Sequence, residues 1–232
     1  MTSKRKLEYW VIPPEADAEF VANMEEVLDV YERPYRAECP VICMDEQPVQ
    51  LIGQKYAPIE DESGKRIRMD YEYRRAGMAC IFLFCEPLRG WRQVCVKAQR
   101  TKTDWAQQVA AILDGPYAHC DKITLVCDNL NTHTKEAFYE AFEPARVRAY
   151  VRRIEFCYTS KHGSWLNIAE SELSAMTRQS LKGERIETMD QLQQQLNDWS
   201  EYTNEKQRGV DWQMRIDDAR SRLKSICPKI QL

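Results

Sequence analysis

Residues 154–176 read I-E-F-C-Y-T-S-K-H-G-S-W-L-N-I-A-E-S-E-L-S-A-M. Ile154–Tyr158 is strand-like, and a Gly/Ser loop follows it. Leu166, Ala169, Leu173 and Met176 then recur at i, i+3, i+7 and i+10, the spacing of one helical face. Glu170 and Glu172 sit inside this helix. Acids beside an apolar stripe are ordinarily solvated. They acquire chemistry only where other acids converge on them.

Two further segments supply such acids. Val41–Met44 is a short apolar run without polar alternation, as expected of a central strand covered on both faces, and it delivers Asp45. Ile123–Cys127 is a second such run and delivers Asp128. An acid directly after a buried strand is costly unless it is paired or binds a cation. If the two strands are parallel neighbours, Asp45 and Asp128 emerge side by side. A helix packed across that edge brings in a third carboxylate. Three acids this close do not all ionise without a large penalty, and a hard divalent cation removes it.

The rest of the chain fits one sizeable α/β core. It has 232 residues, 44% hydrophobic and 30% charged, a soluble globular balance. The net charge is −3, whereas a free-standing DNA-binding module is usually basic. Any nucleic-acid role therefore rests on local patches. Nine cysteines are scattered, many of them inside apolar runs, the pattern of reduced, buried thiols. Neither a secretory leader nor an apolar run long enough to span a bilayer is visible. The expected location is the bacterial cytoplasm or nucleoid.

In chain order, residues 1–14 read as a connector. A helix of about 17 residues follows, with Phe20, Met24, Val27, Leu28 and Tyr31 on one face and acids on the other. Pro48 suggests a bulge or edge after Asp45. Residues 53–77 read as an extended hairpin or projecting loop. Strands are expected at Met78–Cys85 and Trp91–Ala98. Thr103 is the expected N-cap of the next helix. A short helix is expected over Lys135–Phe142, then a loop around the basic cluster Arg146–Arg153. Past Gly183 the chain reads as helical, with a capping-box pattern at Thr188 and Gln191. The expected division is a linker and acidic helix over 1–36, a catalytic core over 37–183 and a C-terminal helical extension over 184–232.

The segments V-I-C-M-D-E, L-V-C-D-N-L-N-T-H-T and G-S-W-L-N-I-A-E-S-E-L-S resemble the three acidic blocks of insertion-sequence transposases in the mariner-related branch of the Asp-Asp-Glu superfamily. The resemblance runs from about Trp10 to the C-terminus. It implies a ribonuclease H-like core, a mixed five-stranded sheet flanked by helices. It also implies Mg²⁺ or Mn²⁺, two ions, held by Asp45, Asp128 and Glu170, and cut-and-paste transposition. Glu170 and Glu172 lie roughly 200° apart on a helix, so only one faces the Asp pair. Periodicity leaves the choice open, and the family's N-x-x-E pattern, Asn167 to Glu170, favours Glu170.

Supporting hydrogen bonds around these ligands are expected from Asn129, Asn131 and Asn167. Candidate DNA contacts are Lys65, Arg66, Arg68, Arg74 and Arg75 on the hairpin, and Lys161 and His162 before the acidic helix. His133 either contacts DNA, orients a ligand or lies on the surface at a helix start. Implied partners are double-stranded DNA, at transposon ends and target, and a second copy in a homodimer. Family members carry a helix-turn-helix region before the core, so a separately encoded N-terminal half is a further expected partner. The competing expectation is a truncated remnant, inactive alone, that acts by binding full-length transposase.

Overall fold

The computed structural model describes residues 17–60, 67–68 and 70–224. The expected connector, Lys65, Arg66 and the last eight residues of the expected C-terminal extension lie outside them. The chain runs α1 (Ala18–Glu32), β1 (Val41–Gln54), the short strands β2 (Ile59–Glu60) and β3 (Ile67–Arg68), then β4 (Tyr73–Glu86) and β5 (Trp91–Lys97). It continues through α2 (Lys102–Asp114), β6 (Ile123–Asp128), α3 (Lys135–Ala141), α4 (Pro144–Arg152), β7 (Ile154–Thr159), α5 (Ile168–Met176), α6 (Met189–Glu205) and α7 (Ile216–Arg222).

The principal sheet has the order β5-β4-β1-β6-β7. β5, β4 and β1 are antiparallel, and β1, β6 and β7 are parallel. This is the mixed five-stranded sheet of a ribonuclease H-like fold, with helices on both faces. Side-chain alternation along each strand divides the core into two layers. Cys43, Ile81, Leu83, Val126 and Cys157 face α1, α5 and α6. Ile42, Met44, Phe82, Leu125 and Cys127 face α2, α3 and α4. Both layers bury large side chains completely, Met24 and Leu28 on one side and Trp105 and Phe138 on the other. Each such side chain contributes on the order of 1.5–3 kcal/mol relative to exposure.

Four sequence expectations need correction. β1 does not end at Met44. It continues through Asp45 to Gln54 because β4 extends alongside it in an unbroken antiparallel ladder up to the bulge at Leu51/Ile52. Past Cys43 it has lost β6 as a partner and is an edge, which accommodates Pro48. The cap of α2 is Thr101, not Thr103. Its hydroxyl accepts from Asp104 N while Asp104 accepts from Thr101 N, a reciprocal box that uses two otherwise orphaned donors. The basic stretch expected as a loop is the helix α4, with Pro144 in its first turn, where proline is favoured. Past Gly183 the chain is not continuously helical, because residues 206–215 form an irregular connection between α6 and α7. That connection is stitched to the β4–β5 turn, with Val210 N donating to Pro87 O at 2.8 Å.

Candidate active site

β1 and β6 pair in parallel with Val41 opposite Thr124, Ile42 opposite Leu125 and Cys43 opposite Val126. The same register carried on by two residues sets Asp45 level with Asp128, where β6 ends. Both share the strand parity of Cys43 and Val126, so both face the α5 layer. Asp45 is partly buried, and its Oδ1 accepts from Glu46 N at 2.7 Å. Burial drives its pKa up, the Glu46 N–H opposes, and the charges of Asp128, Glu46 and Glu170 add, leaving it at about 7. The carboxylates of Asp45, Asp128 and Glu170 thus share one electrostatic site.

α5 reaches this site because its first turn is tied down. Asn167 caps it, with Oδ1 accepting from Ala169 N at 3.1 Å. The same buried side chain donates from Nδ2 to Met44 O at 2.8 Å, directly before Asp45. Tyr31 from α1 donates to Leu166 O at 2.8 Å. Glu170 follows in the first turn and is exposed. Glu172 turns the other way and is buried against Arg92, with Arg92 Nε 2.6 Å from Oε2 and Nη2 2.8 Å from Oε1. Periodicity left the two glutamates equivalent; packing makes only Glu170 a neighbour of the aspartates.

His133 is fully buried, so it is not a DNA contact. It lies behind the aspartates, on the layer to which Glu46 points. Its Nε2 is 2.9 Å from Glu46 Oε1 and its Nδ1 is 2.5 Å from Asp128 Oδ1. Only the Asp128 carbonyl, 3.3 Å from Nδ1, meets hydrogen-bond geometry there; Oδ1 is an ion-pair neighbour without a hydrogen bond of its own. Burial pushes the imidazole pKa down, but contacts with Asp128, Cys127 and Glu46 outweigh it and raise it to about 12. The surroundings therefore favour the protonated ring, with Nε2 facing Glu46 and Nδ1 facing the Asp128 carbonyl. Trp105 stacks on it, ring centres 5.2 Å apart, and Tyr158 donates to its carbonyl at 2.9 Å.

Glu46, Asp128 and His133 together have metal-ligand spacing. Nε2 is taken up by the Glu46 carboxylate and Nδ1 faces the Asp128 carbonyl, however, so neither ring nitrogen offers a free lone pair. The expected set Asp45, Asp128 and Glu170 is all-oxygen, as a hard cation prefers; Asp45 feels the charge of the other two, but among the described residues only Glu46, Asp128 and His133 bring ligand atoms within 4.8 Å of one another. A cavity of about 330 Å³ lined by Tyr31, Tyr35, Glu86 and Trp212 contains none of these acids. The acids lie on the open rim of the sheet.

Other expected residues are placed as follows. Asn129 and Asn131 are exposed. Of the basic hairpin residues, Arg68, Arg74 and Arg75 are exposed, and Arg74 pairs with Glu187. Lys161 and His162 are exposed on the loop before α5, His162 with a positive φ of 67°. The sequence reading missed Glu46, Tyr31 and Arg92. Glu46 was visible as the acid beside Asp45 on the opposite strand parity. Nothing in the sequence links Arg92 to Glu172.

Residues 40–193 match the family model described as DDE superfamily endonuclease. The chain belongs to that family. The DDE endonuclease fold is also seen in solved structures. The Mos1 mariner paired end complex with Mn aligns with a TM-score of 0.56 at 14% identity, over 90% of this chain and 62% of that one. The catalytic domain of Mos1 mariner transposase aligns with a TM-score of 0.52 at 12% identity, over 85% of this chain and 92% of that one. This DDE endonuclease thus spans about 62% of the length of the Mos1 chain in the paired end complex. No curated protein matches it. No helix among the described residues is long and apolar enough to cross a membrane.

Proposed function

We propose that this chain is the catalytic domain of a DNA transposase in which Asp45, Asp128 and Glu170 hold two divalent cations, Mg²⁺ or Mn²⁺. One observation carries the proposal: the β1–β6 register sets Asp45 level with Asp128, and Asp45, pushed up to about 7 chiefly by burial, also feels the charges of Asp128, Glu46 and Glu170. Bound there, the ions would activate the attacking oxygen and stabilise the departing one. The chain's own residues set the geometry. Asn167 holds the start of α5 against β1, so Glu170 stays beside the aspartates. His133, backed by Glu46, fixes the rotamer of Asp128 from behind, as outer partners do for metal-binding carboxylates.

The reaction proposed is hydrolysis of a phosphodiester at each transposon end, followed by attack of the freed 3′-hydroxyl on target DNA. Neither step needs a covalent protein intermediate. Arg68, Arg74, Arg75, Lys161 and His162 are the exposed cations and polar groups proposed to contact phosphates. They supply locally the positive charge that the chain as a whole lacks. The proposed partners are transposon-end and target DNA, a second copy of this chain and a separately supplied helix-turn-helix half.

The test is Mn²⁺-dependent nicking of a plasmid carrying the transposon ends. Asp128→Asn is expected to lower nicking on the order of a thousandfold while keeping the circular dichroism spectrum. Parent-level nicking by Asp128→Asn would remove the assignment.

A further inference from the structure

We infer that the buried Arg92–Glu172 ion pair is a positioning device for the proposed metal site, fixing the rotation of α5 so that Glu170 faces Asp45 and Asp128. The inference rests on the metal-site reading above.

The pair is unusually well anchored. Both side chains are buried, at 2% and 8% exposure. Arg92 meets Glu172 through two parallel contacts of 2.6 and 2.8 Å, the fork geometry that only arginine offers a carboxylate. Its Nη1 donates to Gly90 O at 2.8 Å and its Nη2 to Arg208 O at 2.8 Å. Its backbone is clamped in turn by Asn204 of α6, whose Oδ1 accepts from Arg92 N at 2.7 Å and whose Nδ2 donates to Arg92 O at 2.8 Å. Gly90 has φ +71°, and a Cβ there would lie 2.6 Å from Gln207 C. The turn and the segment after α6 therefore close onto the guanidinium without room for a side chain.

α5 itself has nine residues and few other directional ties. Asn167 ties its start to β1 through one hydrogen bond to Met44 O, a single point that leaves rotation about it to the rest of the helix. Leu173 and Met176 pack into the apolar layer, where contacts are non-directional. The bidentate contact at Glu172 supplies the direction. Glu170, roughly 200° away on the helix, is set by the same rotation. A buried ion pair adds little stability over an apolar pair of equal volume. Its selective advantage here is geometric, since misplacing a reacting group by 1 Å is associated with losses of about a hundredfold.

The test uses the full chain and three changes: Glu172→Gln, Arg92→Lys, and the apolar pair Arg92→Met with Glu172→Leu. Mn²⁺ affinity is read from the electron paramagnetic resonance signal of free Mn²⁺, scaled to the folded fraction from circular dichroism. Hydrogen exchange over residues 168–176 reports on α5. The expected result is Mn²⁺ binding weakened about ten- to hundredfold in each folded variant, with faster exchange in α5. Arg92→Lys is expected not to rescue, because it keeps the charge and loses the fork. If the apolar pair fails to fold, Arg92→Lys decides alone. Mn²⁺ affinity within about threefold of the parent in the folded variants would overturn the inference, provided Asp128→Asn loses binding. Parent-like binding in Asp128→Asn would instead overturn the metal-site reading.

Discussion

Glu170 and Glu172 are separated by one residue on the same short helix, yet they occupy opposite kinds of site. Glu170 is exposed and adds its charge to Asp45, and no side-chain cation among the described residues pairs with it. Glu172 is buried and balanced, with its two oxygens on one guanidinium. The first region concentrates like charge in reach of solvent; the second neutralises opposite charge away from it. Like charge held together is unfavourable and persists only where the surrounding structure enforces it. The balanced pair is part of what enforces it. The proposed cation site and the brace proposed to shape it therefore use the same residue type, distinguished by which partners the fold brings.

The contrast is open to measurement. The largest expected effect is on chemistry: Glu170→Gln should lower Mn²⁺-dependent nicking on the order of a thousandfold and leave the thermal midpoint near the parent's, because Glu170 is exposed. Comparable nicking would erase the distinction between the two glutamates. Next is stability: Glu172→Ala leaves Arg92 buried without its counter-charge and should destabilise by about 3–5 kcal/mol, read from urea unfolding. A change below about 1 kcal/mol would mean that solvent already reaches the pair.

The smallest effect concerns an exposed pair used for comparison, Glu25 with Arg220. Arg220 Nε and Nη2 lie 2.7 and 2.8 Å from the Glu25 oxygens, joining α7 to α1. The hydrogen bond from Arg220 holds the Glu25 pKa below its usual 4.5, with burial opposing. A lowered folded pKa means that the stabilisation is present above pH 4.5 and lost as pH falls through the lower folded value. Thermal midpoints of the parent and Arg220→Ala should differ slightly at neutral pH and converge in acid. A difference that persists below the folded pKa would point to packing rather than charge.

Much of the fold was legible. The apolar runs at 41–44 and 123–127 did become neighbouring parallel strands, and Asp128 did end the second. The capping box at Thr188 formed as written. These features depend on residues close in sequence or on continuous burial, and local pattern carries both. The length of β1 was not legible, because it depends on a ladder with β4 about thirty residues away. His133 was expected to contact DNA, orient a ligand or lie on the surface at a helix start, and it is buried, because its neighbours Glu46 and Trp105 come from other elements. The basic run at 146–153 looked like a loop because its charges hid a helix that buries only Val147 and Tyr150.

The sequence alone supplied the ingredients of the proposed site: two acids that directly follow buried apolar runs and a third on an amphipathic helix. It did so because burial periodicity is local and a buried acid is conspicuous. The tertiary structure alone decided which face of that helix meets the aspartates. The start of α5 is placed by Asn167 on Met44 and its rotation by Arg92 on Glu172, contacts spanning 123 and 80 residues of chain. No local pattern encodes pairings at that distance, and helical periodicity places both glutamates equally well until those contacts form.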